Sequence, residues 1–471
     1  MSARRSLSPA EGAAVTDPAR EAASLEALAA DAVERARRAG AEQAEAVTAS
    51  SRAFTVRAGS GAIENLKQSA TRQLGLRVIV GGAVGFVSSS DLRPASLDDL
   101  ARRAVTLARF STPDEANLLP DPADTAGDDP GDLELWDPAV LDLPAERRIE
   151  MCLELERLAR AADPRITRTD GAQIATRDGA SALANSNGLL RSSRGTSVSM
   201  YVVSLADDRD GRQQVGAYAS AKRHLADLES VEHVAQEASR RAVAKIGARR
   251  VPTAKVPVVM HPDIAATWLS EMYDAMTGEA VVKKSSWLTG RLGQAIASSL
   301  VTIVDDGRMR RGLGSAAWDG EGVPTRRNVL VDRGTLAMFE YDTYFARRAG
   351  TRTTGSAVRS ASSVPGIGCH NLYIEPGAES PDAVLARVDR GFYMDDQGSF
   401  GFNSVTGDYS FQAQGFWIEN GVKAYPVDGV TVASTSLEML KRVVAVANDL
   451  RWDSSIASPT LVIEEMTIGG D

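Results

Sequence analysis

Only four histidines and two cysteines occur in the 471 residues, so side chains that bind zinc well are few. A zinc hydrolase needs two or three His, Cys or carboxylate ligands on one ion and a base that activates water. His224, His233 and His261 form no H-x-x-x-H or H-E-x-x-H pair with one another or with the fourth histidine. Cys369 precedes His370, but adjacent side chains on a strand point to opposite faces. The sequence therefore predicts no metal site in this chain.

Serines and carboxylates near turns offer other chemistries. Ser286 and Ser356 lack the G-x-S-x-G context of a hydrolase nucleophile, and no order of His and Asp selects either serine. Asp305, Asp319 and Glu321 lie near turns and could bind a cation, although capping of turns is the commoner role of Asp there. We predict no catalytic residue, and a hydrolase that uses these carboxylates with another metal remains the alternative.

The run Asn403–Pro426 contains aromatic and β-branched residues that alternate with polar ones. It is interrupted by Thr406-Gly407-Asp408 and by Asn420-Gly421, which is typical of a β-hairpin. A strand platform of this kind can bind a partner or an extended peptide through its backbone groups. The run therefore indicates a binding surface and contains no obvious nucleophile.

Helical and strand patterns alternate along the chain, which predicts an α+β fold. We expect an N-terminal α/β-meander domain followed by a large C-terminal domain rich in antiparallel sheet. The predicted divisions are a disordered tail at 1–20, an N-terminal α+β domain at 21–112, an acidic Pro/Asp/Gly linker or loop at 113–144, a β-rich middle domain with helices at 145–250, and the C-terminal sheet-rich domain at 251–471.

Local patterns predict four short strands between the first helix and Asp91, and strands interrupted at Asp178-Gly179 and Asn187-Gly188. The segment Pro262–Thr277 has an apolar stripe at helical spacing, which indicates a helix that packs against the core. A further helix is predicted from Leu437 to Leu450.

Composition excludes several functional classes. The 53 Lys and Arg against 62 Asp and Glu give a net charge of −9, and no basic block stands out, so nucleic-acid binding is disfavoured. The first residues lack the apolar core of a signal peptide, and no window of 18 apolar residues is present. We therefore expect a cytoplasmic protein that does not bind a membrane.

Motifs in the C-terminal half resemble those of a known family: SSWLTGRLGQAIAS, VDDG, WDGEGVPTRR, DTYFARRAGTRTTGSAVRS, NLYIEPG, NSVTGDYSFQAQGFWIENG, YPVDGVTVAS and EEMTIGG. In order and spacing they are similar to the TldD/PmbA (TldD/TldE) family, cytosolic zinc metallopeptidases built from two related subunits. The N-terminal stretch GLRVIVGGAVGFVSSSDL also resembles the first domain of that family.

The resemblance further implies a subunit type. The TldD-type subunit carries H-E-x-x-x-H on a helix and a distant cysteine ligand, whereas the PmbA/TldE-type subunit has neither. Alignment on SSWLTGRLG places the motif at 269–274, which is LSEMYD, and alignment on the histidine places it at 261–266, which is HPDIAA. The C-terminal stretch RWDSSIASPTLV contains no cysteine. The chain is similar to the PmbA/TldE type, which implies that zinc is held by its partner.

The resemblance implies a non-catalytic subunit that pairs with a TldD-type catalytic subunit and forms part of a channel for unfolded or modified peptides. We expect the strand platform to supply contacts with partner or substrate through Asn403, Thr406, Asp408 and Trp417. The alternative is a stand-alone homodimeric protein that binds peptides or natural products without peptidase activity.

Overall fold

The computed structural model describes residues 18–127, 131–398 and 401–470. Helices and mainly antiparallel sheets alternate along the chain, which confirms the α+β prediction. Most of the predicted tail lies outside the described residues, but 18–20 belong to the first helix. Among the described residues, no helix is both long enough and apolar enough to cross a membrane.

The N-terminal part has two helices and three strands where four short strands are expected. The bounds are α1 (Pro18–Arg38), β1 (Gln43–Gly59), β2 (Ala62–Val80), β3 (Ala83–Ser89) and α2 (Pro94–Phe110). Strands β1 and β2 are long because they pair with each other along almost their whole length, and β1 also pairs with β4 (Ile166–Asn185) on its other side.

The next part begins with short helices and continues as a helix, three strands and a helix. The Asn187-Gly188 turn joins two strands as predicted, but Asp178-Gly179 lies inside a strand that is paired on both sides. The prediction of a turn at Asp178-Gly179 is wrong because pairing with distant strands outweighs the local turn signal. The bounds are α3 (Pro122–Thr125), α4 (Pro138–Asp142), α5 (Ala145–Ala161), β4 (Ile166–Asn185), β5 (Leu190–Asp207), β6 (Gln213–Lys222) and α6 (Val231–Ala244).

The strands on either side of the predicted linker form one six-stranded antiparallel sheet. Its order is β3-β2-β1-β4-β5-β6, and the central pairing of β1 with β4 runs from Glu45↔Asn185 to Ala58↔Ala172. Helices α1 and α2 pack against the β1–β3 end, and α5 and α6 pack toward the β4–β6 end. One sheet therefore connects the two predicted N-terminal units.

The C-terminal part contains the remaining five helices and thirteen strands of the described residues. Their bounds are β7 (Ala254–Met260), α7 (Pro262–Tyr273), α8 (Gly278–Val282), β8 (Ile303–Asp306), β9 (Arg327–Asp332), β10 (Thr335–Leu336), α9 (Thr343–Ala349), β11 (Ala357–Val358), β12 (Gly366–Ile367), β13 (Leu372–Ile374), α10 (Pro381–Leu385), β14 (Arg390–Gln397), β15 (Asp408–Glu419), β16 (Val422–Thr435), α11 (Ser436–Lys441), β17 (Val443–Val446), β18 (Ile456–Ala457) and β19 (Leu461–Gly469).

Five of these strands form a closed ring of paired neighbours. Its order is β16-β15-β14-β7-β19, and β19 pairs again with β16, while β17 extends the sheet from β19. Within the ring, β7 and β14 are parallel. A second sheet has the order β10-β9-β8-β13-β18, and α7 lies in the large core between the two sheets.

Two predictions in this part have different outcomes. The Asn403–Pro426 hairpin is confirmed, since β15 and β16 pair across the Asn420-Gly421 turn. The helix predicted from Leu437 to Leu450 is wrong, because α11 ends at Lys441 and Val443–Val446 forms β17. This run of mostly β-branched residues pairs with β19.

A buried group of ion pairs joins the N-terminal sheet to the C-terminal part. Glu45 on β1 is paired with Arg77 on β2 at 2.7 Å and also with Arg359, which follows β11. Arg77 also lies 3.6 Å from Glu321. All four side chains are less than a tenth exposed, so these charges depend on one another for compensation.

Candidate functional site

Helix α7 has one face in the core and one face toward an open space. Pro262 occupies the first turn, and His261 caps the helix by accepting a hydrogen bond from Asp263 N at Nδ1, 3.1 Å away. Trp268 is fully buried and donates from Nε1 to Ser436 Oγ at 3.1 Å. On the opposite face, Thr267 and Ser270 are exposed. The helix is therefore anchored firmly while it presents polar side chains to the open space.

That space is a cavity of about 960 Å³, a volume within the range of ligand sites. Its walls come from the polar face of α7, strands β5 and β6, helix α6, the end of β14 and residues 451–458. Strand β6 belongs to the first sheet and α6 packs on that sheet, whereas α7 and β14 belong to the C-terminal part. The cavity therefore lies at the junction of the two.

Most charges in the cavity walls are paired. Asp263 accepts from Arg241 Nη1 at 2.8 Å and from Arg451 Nη2 at 3.1 Å. Burial raises the pKa of Asp263, but His261 and Arg241 outweigh it and lower the pKa to about 2. Arg451 Nε also lies 2.9 Å from Asp453 Oδ2. With its pKa at about 2, Asp263 is ionised at neutral pH.

A second paired group lies at the end of β14. Lys245 directly follows α6, and its Nζ is 3.1 Å from Asp396 Oδ2 and 3.9 Å from Asp395 Oδ2. Its ammonium group holds these two neighbouring carboxylates together and connects α6 to the C-terminal part.

Glu271 differs from the other carboxylates of the cavity. Its Oε2 is buried and has no hydrogen-bond partner among the described residues, and burial raises the pKa of its carboxyl to about 7. The neighbouring hydroxyl of Tyr409 donates instead to Gln397 Oε1, at 2.8 Å. Glu271 is thus a carboxyl group whose charged form this chain leaves uncompensated.

Three of the predicted contact residues lie together where an exposed turn leads into β15, which begins at Asp408. Asn403 Oδ1 accepts from the backbone N–H groups of Val405 and Thr406, and Thr406 Oγ1 donates to Asp408 Oδ2 at 2.6 Å. Asn403, Thr406 and Asp408 are exposed. Their visible role is to shape the turn, and the described lining of the cavity does not include them.

Trp417, the fourth predicted contact residue, is 3% exposed and belongs to the core of the C-terminal part. Its position in the alternating pattern of β15 turns the indole inward. The prediction that this side chain contacts a partner or peptide is at odds with this burial, because surface contact requires exposed area.

Asp305, Cys369 and His370 lie near one another in the interior. Asp305 accepts from His370 N at 2.7 Å, and its other oxygen lies 3.2 Å from His370 Nδ1. Burial raises the pKa of Cys369, which disfavours a reactive thiolate. The Asp305–His370 pair fixes the backbone before β13, and Cys152 is buried elsewhere in the sheet core.

The remaining candidate residues also form hydrogen bonds inside the protein. Asp319 accepts from the backbone N–H groups of Glu321, Val323 and Ala357 at 2.8–3.0 Å, which is the turn-stabilising role of Asp. Ser356 Oγ donates to Glu340 Oε1 at 3.0 Å. Ser286 Oγ donates to the carbonyl oxygen of Ala275.

Sequence reasoning missed the cavity residues although a signal was present. Asp263, Thr267, Ser270 and Glu271 follow helical spacing on the face opposite the apolar stripe of α7. Arg241, Arg451 and Asp453 give no local signal, since only the fold brings them to this helix.

Models of three consecutive domains match the chain. The PmbA/TldA metallopeptidase domain 1 matches residues 44–108, the central domain matches 138–246, and the C-terminal domain matches 253–470. The chain belongs to the PmbA/TldD metallopeptidase family. This confirms the family resemblance noted in the sequence.

Relatives of this family cover nearly the full chain. Metalloprotease PmbA of Escherichia coli O157:H7 is 30% identical over 91% of this chain and 92% of its own length. The PmbA homolog of Haemophilus influenzae is 31% identical over 93% and 95%. The TldD homolog of H. influenzae is 28% identical over 85% and 87%.

Solved structures share the fold. A Bacteroides thetaiotaomicron protein described as a candidate modulator of DNA gyrase has a TM-score of 0.88 at 27% identity, covering 95% of this chain and 99% of its own. TldE from Thermococcus kodakarensis has a TM-score of 0.82 at 23% identity, covering 94% and 99%. The second comparison concerns the fold alone.

The cavity of this PmbA/TldD-family chain does not fit a zinc ion. Zinc sites use His, Cys and carboxylate ligands, and the described cavity lining contains neither His nor Cys. Asp263 and Asp453 are held by arginines, and Asp395 and Asp396 by Lys245. Across 18–127, 131–398 and 401–470, no three His, Cys, Asp or Glu side chains form a group that could hold a metal ion.

Proposed function

We propose that this chain is the non-catalytic subunit of a cytoplasmic, heterodimeric TldD/TldE-type zinc metallopeptidase. In this proposal the TldD-type partner holds the zinc ion and cleaves the peptide bond. This chain supplies part of the subunit interface and of the channel that admits unfolded or modified peptides.

One observation carries the proposal. The cavity of about 960 Å³ is walled by the helix that follows β7, and this helix presents Thr267, Ser270 and Glu271 instead of a set of metal ligands. Salt bridges fix the other carboxylates of the cavity. A site of this size without a zinc ligand set is suited to holding a peptide and not to metal-assisted hydrolysis.

The strand β6 offers a surface for an extended peptide. It is the last strand of its sheet, and Val215, Ala217 and Ala219 line the cavity. The alternate residue Gly216 faces α6, where an added Cβ would lie 2.2 Å from Ala238 O. Small side chains toward the cavity and backbone groups at a strand edge permit binding with little sequence preference.

Co-expression with a TldD-type subunit tests the proposal. We expect a stable 1:1 complex by light scattering and EDTA-sensitive cleavage of an unstructured peptide by that complex. The isolated chain serves as the control and should not cleave the peptide. A persistent homodimer that does not exchange with the TldD-type subunit would contradict the proposal.

The second candidate function is a stand-alone homodimer that binds peptides or natural products without peptidase activity. It is favoured by the fact that residues of this one chain form the cavity walls described above. The same co-expression separates the two candidates, because a stand-alone binder would form no complex with the TldD-type subunit.

A further inference from the structure

The cavity walls contain more negative than positive groups. Five carboxylates and three cations line the space among the described residues. Each of the three cations, Arg241, Lys245 and Arg451, lies within 4.0 Å of at least one of the carboxylates Asp263, Asp395, Asp396 and Asp453. The remaining carboxylate, Glu271, forms no ion pair with any residue that the structure describes.

Two tyrosine hydroxyl groups close to Glu271 donate to other residues. Glu271 lies near the end of α7, where Met272 and Tyr273 continue into the core, and Tyr273 Oη donates to Glu340 at 2.5 Å. The hydroxyl of Tyr409 donates a hydrogen bond to Gln397 Oε1. The carboxyl group therefore borders the cavity with a buried oxygen that no neighbour among the described residues satisfies.

A partly buried carboxylate without a partner destabilises the folded protein, because its charge is poorly solvated. A cation placed beside it offsets that loss of solvation. An ammonium group fits this environment better than a guanidinium group, because it is a compact charge and needs no planar pair of acceptors.

Resting on the proposed function, we propose that Glu271 binds an ammonium group of the peptide, either its free N-terminus or a lysine side chain. The group would form a charge-assisted hydrogen bond with the carboxylate and set the position of the peptide along the cavity. Glu271 is thus a residue that determines specificity in a chain that otherwise binds peptide through backbone groups.

Three labelled, unstructured peptides of the same length test this inference with the full chain. The first has a free N-terminus and no lysine, the second is N-acetylated with one lysine, and the third is N-acetylated without lysine. Fluorescence anisotropy should show that at least one of the first two binds about tenfold or more tightly than the third. The first and second peptides distinguish the two sources of the ammonium group.

Glu271→Gln should abolish this preference, so that the three peptides bind the variant with similar affinity. Glu271→Met, which also removes the charge, should have the same effect, and thermal melting should show that both variants are folded. The matched control Glu232→Gln changes an exposed glutamate on α6 outside the described cavity lining and should keep the preference.

The outcomes separate the inference from the proposed function. If the chain binds all three peptides equally, or if Glu271→Gln retains the preference, the inference is wrong and peptide binding stands. If the chain binds none of the three peptides, both the peptide-binding role of the cavity and the inference are wrong.

Discussion

Glu340 is a fully buried carboxyl group held by three side chains. It accepts from Tyr273 Oη at 2.5 Å, Asn328 Nδ2 at 2.9 Å and Ser356 Oγ at 3.0 Å. Burial and the nearby charge of Asp305 raise its pKa to about 8. Glu340 is therefore largely protonated in the folded protein at pH 7, whereas it is ionised in the unfolded chain.

The stability of the protein should depend on pH through Glu340. Because its folded-state pKa is raised, its contribution is fully present below the unfolded pKa near about 4 and is lost as pH rises toward about 8. Glu340→Gln copies the protonated form and should reduce the fall in melting temperature between pH 5 and pH 8. Calorimetry at both pH values measures this, with Glu232→Gln as an exposed control. An unchanged fall in the variant would contradict the assignment.

For single residues, the sequence indicated which side chains have reactive groups better than it predicted what those side chains do. Asp305, Asp319 and Ser356 were identified as candidates because of their chemistry, and the structure places each in an interior hydrogen-bond group. Asp305 and His370 are 65 positions apart, so no local pattern shows that they meet. Glu271 was overlooked because its significance comes from neighbours that only the fold brings together.

Helix α7 and the β15–β16 hairpin show how far elements are predictable. The apolar period of α7 and the Asn420-Gly421 turn were both evident from local sequence, and both are present. The strand after α11 was not evident from local sequence, because Val443–Val446 forms a strand by pairing with β19. Local propensity is a weak guide where a β-branched run follows a short helix.

The Asn420-Gly421 turn gives a test of element stability. Gly421 has φ +76°, and an added Cβ would lie 2.8 Å from Ala386 O. Gly421→Ala should lower the free energy of unfolding by more than the ~1–2 kcal/mol that positive φ alone costs an alanine.

Gly188→Ala in the β4–β5 turn is a matched control. Gly188 has φ +87°, and no atom of the described part of the chain lies within 4 Å of an added Cβ, so only the conformational cost applies. Urea unfolding of both variants measures the difference. Equal losses would show that the contact with Ala386 does not constrain the hairpin.

At the scale of the whole molecule, one sheet and one buried charge group hold the parts together. Pairing of β1 with β4 spans the acidic segment, and residues more than 100 positions apart become neighbours. Composition located that segment, but it could not reveal that the strands before and after it pair. The cavity, which lies between this sheet and the C-terminal part, was unpredictable for the same reason.

A substitution at Arg359 tests the buried ion pairs that join the N-terminal sheet to the C-terminal part. It is 2% exposed and is paired with Glu45, which is fully buried. Arg359→Ala leaves Glu45 with less compensation and should cost about 3–5 kcal/mol of unfolding free energy. Arg352→Ala, which removes an exposed arginine paired with Asp124, should leave the urea midpoint almost unchanged because solvent screens this pair. Similar urea midpoints for the two variants would contradict the importance of the buried group.

The metal content of the purified chain decides whether it is a non-catalytic subunit. If this chain is the non-catalytic subunit, mass spectrometry for metals should find far less than one zinc per isolated chain, and the complex with a TldD-type subunit should contain about one zinc per heterodimer. Tight binding of about one zinc by the isolated chain, retained after dialysis, would contradict the account.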